Sequence, residues 1–414
     1  MHPIFQFLTG LAVSGSLLHA GESQLLSDGF LSKIRTEAAR SHPSAVAGKA
    51  KAAAAIHDVR AVRLWNDPMV GFGFMAADEM MQMDDGDLML GIEQVLPKTG
   101  MFDAERRRME AMGRAETQNA RGSSIAAGAE AARAAIELAL SDESIRLQQS
   151  QITWLAAMAE NSKQMAADPM GSSTDALRME TELAKEQQML DAARRTREGF
   201  AQKLNLTLGR PLDAPWPDMK LPDKPPPVPL ATAEIARIPH ANPKVRAMTE
   251  MAGAAKEEIR IADHERLPEF AVGIDTRIYS DTGDVTSTTF GVKMSLSWFN
   301  DHSYQAKIDA AKSREVSAGL DVETMRREVA AMVLTAVTEA ANAAAQARAF
   351  SGEIHEKALK ATQTTEAAWI SSKAPLGDLL DSARTLFAIR LEQRRMIAMQ
   401  LAALEELQTL VPDR

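Results

Sequence analysis

The sequence contains a tandem duplication with an offset of 200 residues. Pro43 and Pro68 in the first copy are matched by Pro243 and Pro268 in the second. Each pair leads into a segment in which apolar and polar residues alternate. A shared register over more than about fifty residues, with a helix and two strands expected in each copy, indicates an internal repeat rather than chance.

The repeat divides the chain into segments. We place the first repeat at 21–210, a proline-rich connector at 211–230 and the second repeat at 231–414. The connector contains Pro225-Pro226-Pro227 and is expected to be extended on the outside of the protein. Two matched halves in 414 residues favour one elongated protomer in which the halves are wrapped together.

Residues 1–20 are predicted to be a secretory signal peptide. They contain no Lys, Arg, Asp or Glu, and they are mostly apolar from Ile4 to Leu18 before a polar start at Gly21-Glu22. A disordered N-terminus is the alternative. The chain has no cysteine, which excludes disulfides, thiol catalysis and a lipid anchor on a processed N-terminal cysteine.

Each repeat contains two segments with the period of a β-strand. In the second repeat Phe270, Val272 and Ile274 alternate with Gly273 and Asp275. We expect β-hairpins at about 69–97 and at about 268–299. Strands of about ten residues with one apolar face are typical of lipid-spanning strands, although a soluble hairpin with one buried face has the same pattern.

After each hairpin the sequence predicts a long helical hairpin, over 101–206 and over 302–411. Apolar and small residues follow alternating steps of three and four, which is coiled-coil spacing. No run is long and apolar enough for a membrane-spanning helix, and four strands cannot close a barrel alone. The expected fold is therefore mainly α with a β-barrel part: a long antiparallel α-helical coiled-coil tunnel, and four strands per chain that close a 12-stranded barrel in a trimer.

The residues resemble the TolC-type outer-membrane efflux ducts over nearly all of the chain after residue 20. No single motif is specific, but together, in order and duplicated, they carry the resemblance. The motifs are Trp65-Asn66-Asp67-Pro68-Met69, Gln94-Val95-Leu96-Pro97 with Gly100, Leu206-Thr207-Leu208-Gly209-Arg210-Pro211, Asn242-Pro243, Leu267-Pro268 and Leu379-Leu380-Asp381-Ser382-Ala383-Arg384-Thr385-Leu386. The Asp-Pro-Met start and the methionine-rich first hairpin look most like the heavy-metal branch of that family.

The resemblance implies a homotrimer in the outer membrane of a Gram-negative bacterium, with a helical tunnel across the periplasm. Its partners would be a periplasmic adaptor (a membrane fusion protein), an inner-membrane resistance-nodulation-division pump and outer-membrane lipid. A nucleic-acid partner is not expected, because the net charge of −9 offers no basic face. No cofactor is expected. No pairing of a nucleophile with a general base stands out in the sequence, which argues against an enzyme.

Asp378 and Asp381 match the aspartates that line the periplasmic constriction in this family. They are three residues apart and share a helix face, so three copies would bring carboxylates together around one opening. Such a ring could attract cations and gate the duct. The alternative is ordinary helix chemistry, because an acid is favoured in the first turn after Pro375-Leu376-Gly377.

The resemblance also assigns the tips of the helical hairpins to adaptor docking. These tip residues are Asp168, Pro169, Met170 and Gly171 in the first repeat, and Lys373, Ala374, Pro375 and Gly377 in the second. The tyrosine and glycine that relatives often carry before the tips are replaced by Trp369 and Ser372 in the second repeat. Adaptor contacts there could differ from those of relatives.

Two further sets of residues are candidates. By strand parity, the charged residues Glu93, Asp275, Arg277 and Lys293 are predicted to face the barrel lumen. Any position in a wet lumen tends to be polar, so selectivity does not follow from their charge alone. Met81 and Met83 lie in the methionine-rich first hairpin and could bind soft metal ions, although methionine more often fills space.

Three functions remain open on the sequence. The first is the outer-membrane channel of a tripartite efflux system that exports metal ions, such as copper or silver, or other small toxic solutes. The second is a duct of the same kind for organic drugs or for type I protein secretion. The third is a non-channel periplasmic coiled-coil scaffold, on which the exposed apolar strand faces would be an aggregation liability.

Overall fold

A computed structural model of the chain describes residues 23–75, 87–167, 172–279 and 283–412. The predicted signal peptide at 1–20 lies outside these residues. Within the described part of the chain, no helix combines the length and the apolar composition needed to cross a membrane.

Both repeats contain two helices, two strands and a long helical hairpin in that order. The first repeat contains β1 (Gln24–Leu25), α1 (Asp28–Ser41), α2 (Pro43–Ala61), β2 (Met69–Met75), β3 (Asp87–Val95), α3 (Thr99–Ala166) and α4 (Ser173–Leu208). The connector contains β4 (Met219–Lys220). The second repeat contains α5 (Ala231–Ala241), α6 (Pro243–Glu265), β5 (Phe270–Tyr279), β6 (Val285–Met294), a short 3-10 helix (Ser297–Asn300), α7 (Asp301–Ser351), α8 (Glu353–Ile370) and α9 (Leu376–Leu410).

The matched prolines begin matched helices. Pro43 and Pro243 occupy the first turn of α2 and α6, where the missing N–H costs no hydrogen bond. The buried Asn242 caps α6, because its Oδ1 accepts from the Val245 N–H at 3.1 Å. Its Nδ2 also donates to the Leu410 carbonyl at 2.9 Å, so the same side chain ties α6 to the end of α9.

The second repeat departs from the prediction in two places. The long helix after its hairpin is broken at Gly352 into α7 and α8, whereas α3 in the first repeat is continuous. The last strand ends at Met294, so Leu296 and Trp298 lie outside it and Trp298 belongs to the 3-10 helix. Helix and strand periodicity alone did not predict either ending.

The chain forms two compact units, and each unit draws segments from both repeats. One unit contains the residues up to Ile34, Ala131–Pro227 and Ala341–Ala402. Its core cluster is formed by Leu155, Met158, Ala159, Met179, Trp369, Leu376, Leu379 and Leu380. The other unit contains Arg35–Glu130, Val228–Ala340 and Ala403–Arg414. A core cluster in this unit is formed by Ile238, Ala241, Val245, Val329, Val333, Ala336, Val337, Leu407, Leu410 and Val411.

The second of these units contains a four-stranded antiparallel sheet. Its strand order is β2-β3-β5-β6, so the two predicted hairpins are joined by pairing of β3 with β5. One rung of the register runs Gly71, Gly91, Asp275 and Thr289. Among the described residues, β2 and β6 each pair on one side only.

The sequence analysis expected the connector to be extended on the outside of the protein. The connector is extended, but part of it is buried. Trp216, Met219 and Leu221 are buried, and β4 pairs in parallel with β1. Two buried acids in the middle of α3 hold this segment. Asp142 accepts the Met219 N–H at 2.8 Å, and Glu143 accepts the Leu221 N–H at 3.1 Å.

An arginine of α4 completes this attachment. Arg197 of α4 forms an ion pair with Asp142 and also donates to the carbonyls of Trp216 and Pro217, both at 3.3 Å. Burial of the guanidinium opposes its charge, but the hydrogen bond to Asp142 and the attraction of that carboxylate outweigh it, so the pKa of Arg197 is raised. The connector is therefore fastened by buried charged groups that satisfy one another.

We expect Asp142→Ala to destabilise the protein by about 3 kcal/mol, because it leaves the half-buried Arg197 and the Met219 N–H without this acceptor. The matched control is Asp191→Ala, which removes an exposed ion pair with Arg194 and should cost less than about 1 kcal/mol. Thermal unfolding followed by circular dichroism measures both changes. Equal shifts in the two variants would show that the connector attachment contributes no more than a surface ion pair.

Candidate functional site

The register of the sheet places the four charged residues predicted for the lumen on one face. In β5 this face carries Asp275 and Arg277, and the register aligns it with Glu93 of β3 and Lys293 of β6. Glu93 and Lys293 form an ion pair across the strands. Arg277 forms no ion pair within the residues that the structure describes. The face thus combines one neutralised charge pair with charges that remain exposed.

Glycines shape this polar face. A Cβ atom on Gly91 would lie 2.3 Å from Oδ1 of Asp275, so the carboxylate of Asp275 occupies the space that a side chain at this position would need. Gly91 pairs with Gly71 on one side and with Asp275 on the other. The two strands on this side of the carboxylate, β3 and β2, therefore carry no side chain at this rung of the sheet.

The opposite face of the sheet is apolar and exposed. Phe72 is 77% exposed, Phe290 78% and Val292 74%. Val70, Phe74, Ile92, Phe270, Val272, Ile274 and Met294 also expose apolar side chains. An exposed apolar surface on every strand of a sheet is unfavourable in water and indicates contact with lipid or with another protein.

The acidic pair lies in the other unit, at the start of α9. Asp378 and Asp381 are exposed, whereas Leu379 and Leu380 between them are buried in the core cluster. The acids therefore lie on the outer face of a helix that is anchored by its leucines. Asp378 forms no ion pair with any described residue, but Asp381 lies 3.3 Å from Nη1 of Arg384.

Arg384 links the acidic pair to α4. Its Nη2 donates to Oε1 of Glu182 at 2.7 Å while its Nη1 contacts Asp381. The hydrogen bond to Glu182 is the largest cause of the raised pKa of Arg384. Glu186, one turn after Glu182, has a pKa raised chiefly by burial. The sequence analysis missed this bridge, although the three-residue spacing of Asp381 and Arg384 is a recognisable signal.

The turn between α8 and α9 contains the second set of predicted tip residues. Trp369 is buried in the core cluster, and Ser372 has a φ of 56°, which is a left-handed conformation. The Lys373 N–H donates to the Ala368 carbonyl at 2.7 Å, and the Ser372 N–H donates to the Trp369 carbonyl at 2.9 Å. This is the hydrogen-bond pattern of a helix end at which glycine is usually found.

Several predicted site residues lie outside the described part of the chain. These are Met81 and Met83, and the first tip, Asp168, Pro169, Met170 and Gly171. Lys373 and Pro375 of the second tip are exposed, whereas Ala374 and Gly377 are half-buried. In the ranges that the structure describes, no group of three or more His, Cys, Asp or Glu side chains is arranged to hold a metal ion.

Comparisons with known proteins agree with this geometry. Residues 237–411 match the model of the family described as outer membrane efflux protein. This match covers most of the second repeat. The sequence matches no curated protein.

Solved structures share the fold of most of the chain. The outer-membrane channel OprN is 14% identical, with a TM-score of 0.76 over 93% of this chain and 90% of that one. CusC, whose structures concern transmembrane channel formation, is 14% identical, with a TM-score of 0.75 over 96% and 95%. The open state of the MtrE outer membrane channel of Neisseria gonorrhoeae is 17% identical, with a TM-score of 0.72 over 92% and 88%. The chain therefore has the fold of outer-membrane channels.

We expect Ser372→Gly to stabilise the protein by about 1 kcal/mol, because glycine adopts a left-handed φ without the steric cost that a side chain brings. The matched control is Ser371→Gly, since Ser371 has an ordinary φ of −86° and gains nothing from glycine. The midpoint of thermal unfolding measures the difference. A lower midpoint for Ser372→Gly than for the wild type would contradict the strain that we assign to this turn.

Proposed function

We propose that this protein is the outer-membrane channel of a tripartite efflux system in a Gram-negative bacterium. It would act as a passive homotrimeric duct from the periplasm to the exterior. The observation that carries the proposal is the four-stranded sheet. It has one exposed apolar face, one polar face and two edge strands that, among the described residues, pair on one side only. The fold of the solved channels and the family match of residues 237–411 support it.

The edges of the sheet give the argument for several copies. In lipid every backbone N–H and C=O must be paired, and an open sheet leaves a row of them unpaired on each edge. Each strand is antiparallel to its neighbour, so β2 and β6 are antiparallel to one another. The β6 strand of one copy could therefore continue the alternation beside β2 of the next, and three copies would close a barrel of twelve strands.

The polar face would then line the lumen. Glu93, Asp275, Arg277 and Lys293 share that face, and they would contact water and the passing solute. The apolar face, with Phe290 and Val292 at its edge strand, would contact outer-membrane lipid. In this assignment the polar face contacts water and the apolar face contacts lipid.

We further propose that the helical hairpins form a tunnel in the periplasm. Asp378 and Asp381, exposed at the start of α9, would surround its opening and act as a periplasmic gate. The turns at Lys373, Ala374, Pro375 and Gly377, together with Asp168, Pro169, Met170 and Gly171, would dock on a periplasmic adaptor. The adaptor would connect the duct to an inner-membrane resistance-nodulation-division pump, which would supply the energy and choose the substrate.

A lipid-spanning sheet predicts that a charge is tolerated on one face and not on the other. We expect Phe290→Arg to reduce insertion into lipid vesicles strongly, because an arginine on the lipid face costs about 2–4 kcal/mol near the bilayer midplane. The matched control is Thr289→Arg, one residue earlier on the polar face of the same strand. Flotation of vesicles and chemical cross-linking of the trimer measure insertion and assembly.

Equal insertion of the two variants would contradict the proposed orientation. The scaffold alternative would give a different result again, since that protein would remain in solution without detergent and give no current across a planar bilayer. A channel, by contrast, would give current from the wild type and from Thr289→Arg.

The cargo is proposed to be metal ions, such as copper or silver, because methionines crowd the first hairpin and thioethers suit soft ions. Deletion of the gene should then increase sensitivity to copper or silver salts, and plasmid-borne wild type should reverse the effect. As a control, growth inhibition of the same strains by organic compounds is measured. Increased sensitivity to the organic compounds alone would favour the drug-efflux alternative and contradict the metal assignment.

A further inference from the structure

The two aspartates at the start of α9 differ in their electrostatic surroundings. We infer that Arg384 is a positioning residue that neutralises Asp381, so that Asp378 supplies most of the negative charge at the proposed gate. This inference rests on the proposed function, because it concerns how the gate of the duct selects cations. It goes beyond it in assigning unequal roles to the two acids.

The first step is the geometry of the bridge. Arg384 lies between Glu182 of α4, at 2.7 Å, and Asp381 of its own helix, at 3.3 Å. Glu182 is largely shielded from water, with 22% of its side chain exposed, whereas Asp381 is 77% exposed. The shielded carboxylate holds the guanidinium in place, and the guanidinium then lies within contact distance of the exposed one. Together with Lys185, which lies 3.9 Å from Glu182, these side chains from two helices form one connected charge group.

The second step is the position of each residue around α9. Successive residues of an α-helix are rotated by about 100°, so Asp381 and Arg384 are about 60° apart around the axis. Asp378 and Arg384 are six positions apart, which places them about 120° apart on opposite sides of the exposed face. Arg384 can therefore reach Asp381 but not Asp378. This matches the ion pairs of the described residues, among which Asp381 has a partner and Asp378 has none.

The third step is the effect on a cation. An arginine at contact distance cancels most of the field of a carboxylate for an ion several ångströms further away. Lys185 lies 3.9 Å from Glu182, so the two cations Lys185 and Arg384 balance the two carboxylates Glu182 and Asp381. With Arg384 in place, Asp378 is therefore the one uncompensated carboxylate of the acidic pair in each copy. Without Arg384, each copy would present two, and the affinity of the opening for a divalent cation would increase. Arg384 thus sets how strongly cations block the duct.

The test uses the full-length wild-type protein and its variants reconstituted in planar lipid bilayers, with Mg²⁺ added as the blocking ion. We expect Arg384→Gln to lower the concentration of Mg²⁺ that halves the current several-fold, whereas Arg384→Lys, which keeps the charge, should stay close to the wild type. Asp378→Asn should raise that concentration more than Asp381→Asn does. In the double variant Arg384→Gln with Asp381→Asn, the effect of removing the arginine should disappear.

The control variant is Arg395→Gln on the same helix, because Arg395 pairs with Glu392 at the same three-residue spacing and is exposed to a similar extent as Arg384. It should not change the block by Mg²⁺. Circular dichroism and cross-linking verify that each variant folds and assembles.

The outcomes separate the inference from the proposed function. The inference is overturned if the same concentration of Mg²⁺ halves the current of Arg384→Gln and of the wild type. It is also overturned if the effect of Arg384→Gln persists in the Asp381→Asn background. It is also overturned if the wild type conducts and no variant changes the block, a result that leaves the duct itself standing. No current from the wild type would refute the duct, and the inference with it.

Discussion

Backbone hydrogen bonding at the edges of a sheet is the constraint on which the rest of this structure depends. The four strands pair with one another, but β2 and β6 each pair on one side only among the described residues. The apolar face of the same sheet exposes Phe72, Phe290 and Val292. A sheet with an apolar face cannot remain open at its edges in lipid, and the same face is unfavourable in water. The proposed closure of the sheet by further copies would remove both difficulties together.

The internal duplication gives this sheet its composition. Each repeat supplies one hairpin, and β3 of the first pairs with β5 of the second along its whole length. One pair of positions related by the repeat is in contact across β5: Glu93 of β3 and Lys293 of β6 are 200 residues apart in sequence and form an ion pair. At these equivalent positions the two repeats carry opposite charges. Divergence of the two copies therefore stabilises their contact, because two identical charges there would repel.

The sequence was sufficient to predict the long helices and the four strands of the larger sheet, because each has a clear period. Pro43 and Pro243 mark the helix starts, and the alternation in Phe270–Tyr279 marks a strand. The break at Gly352 was missed because the coiled-coil spacing continues through it, although a glycine in a helix interior is a recognised warning. The buried position of Met219 and Leu221 was missed because the surrounding prolines indicated an exposed linker. Their partners, Asp142 and Glu143, are more than seventy residues away in sequence, and periodicity carries no information about such contacts.

The candidate site shows the same limit. Strand parity was enough to group Glu93, Asp275, Arg277 and Lys293, since the register follows from the alternation. The resemblance to a family was enough to select Asp378 and Asp381, but it treated them as equivalent. The pairing of Asp381 with Arg384 is local to α9, but Glu182, which also binds the guanidinium, comes from α4, and no local pattern in the sequence places those two helices side by side. A charge in a motif therefore has no fixed strength: what it does to an ion depends on neighbours that the fold brings to it from elsewhere in the chain.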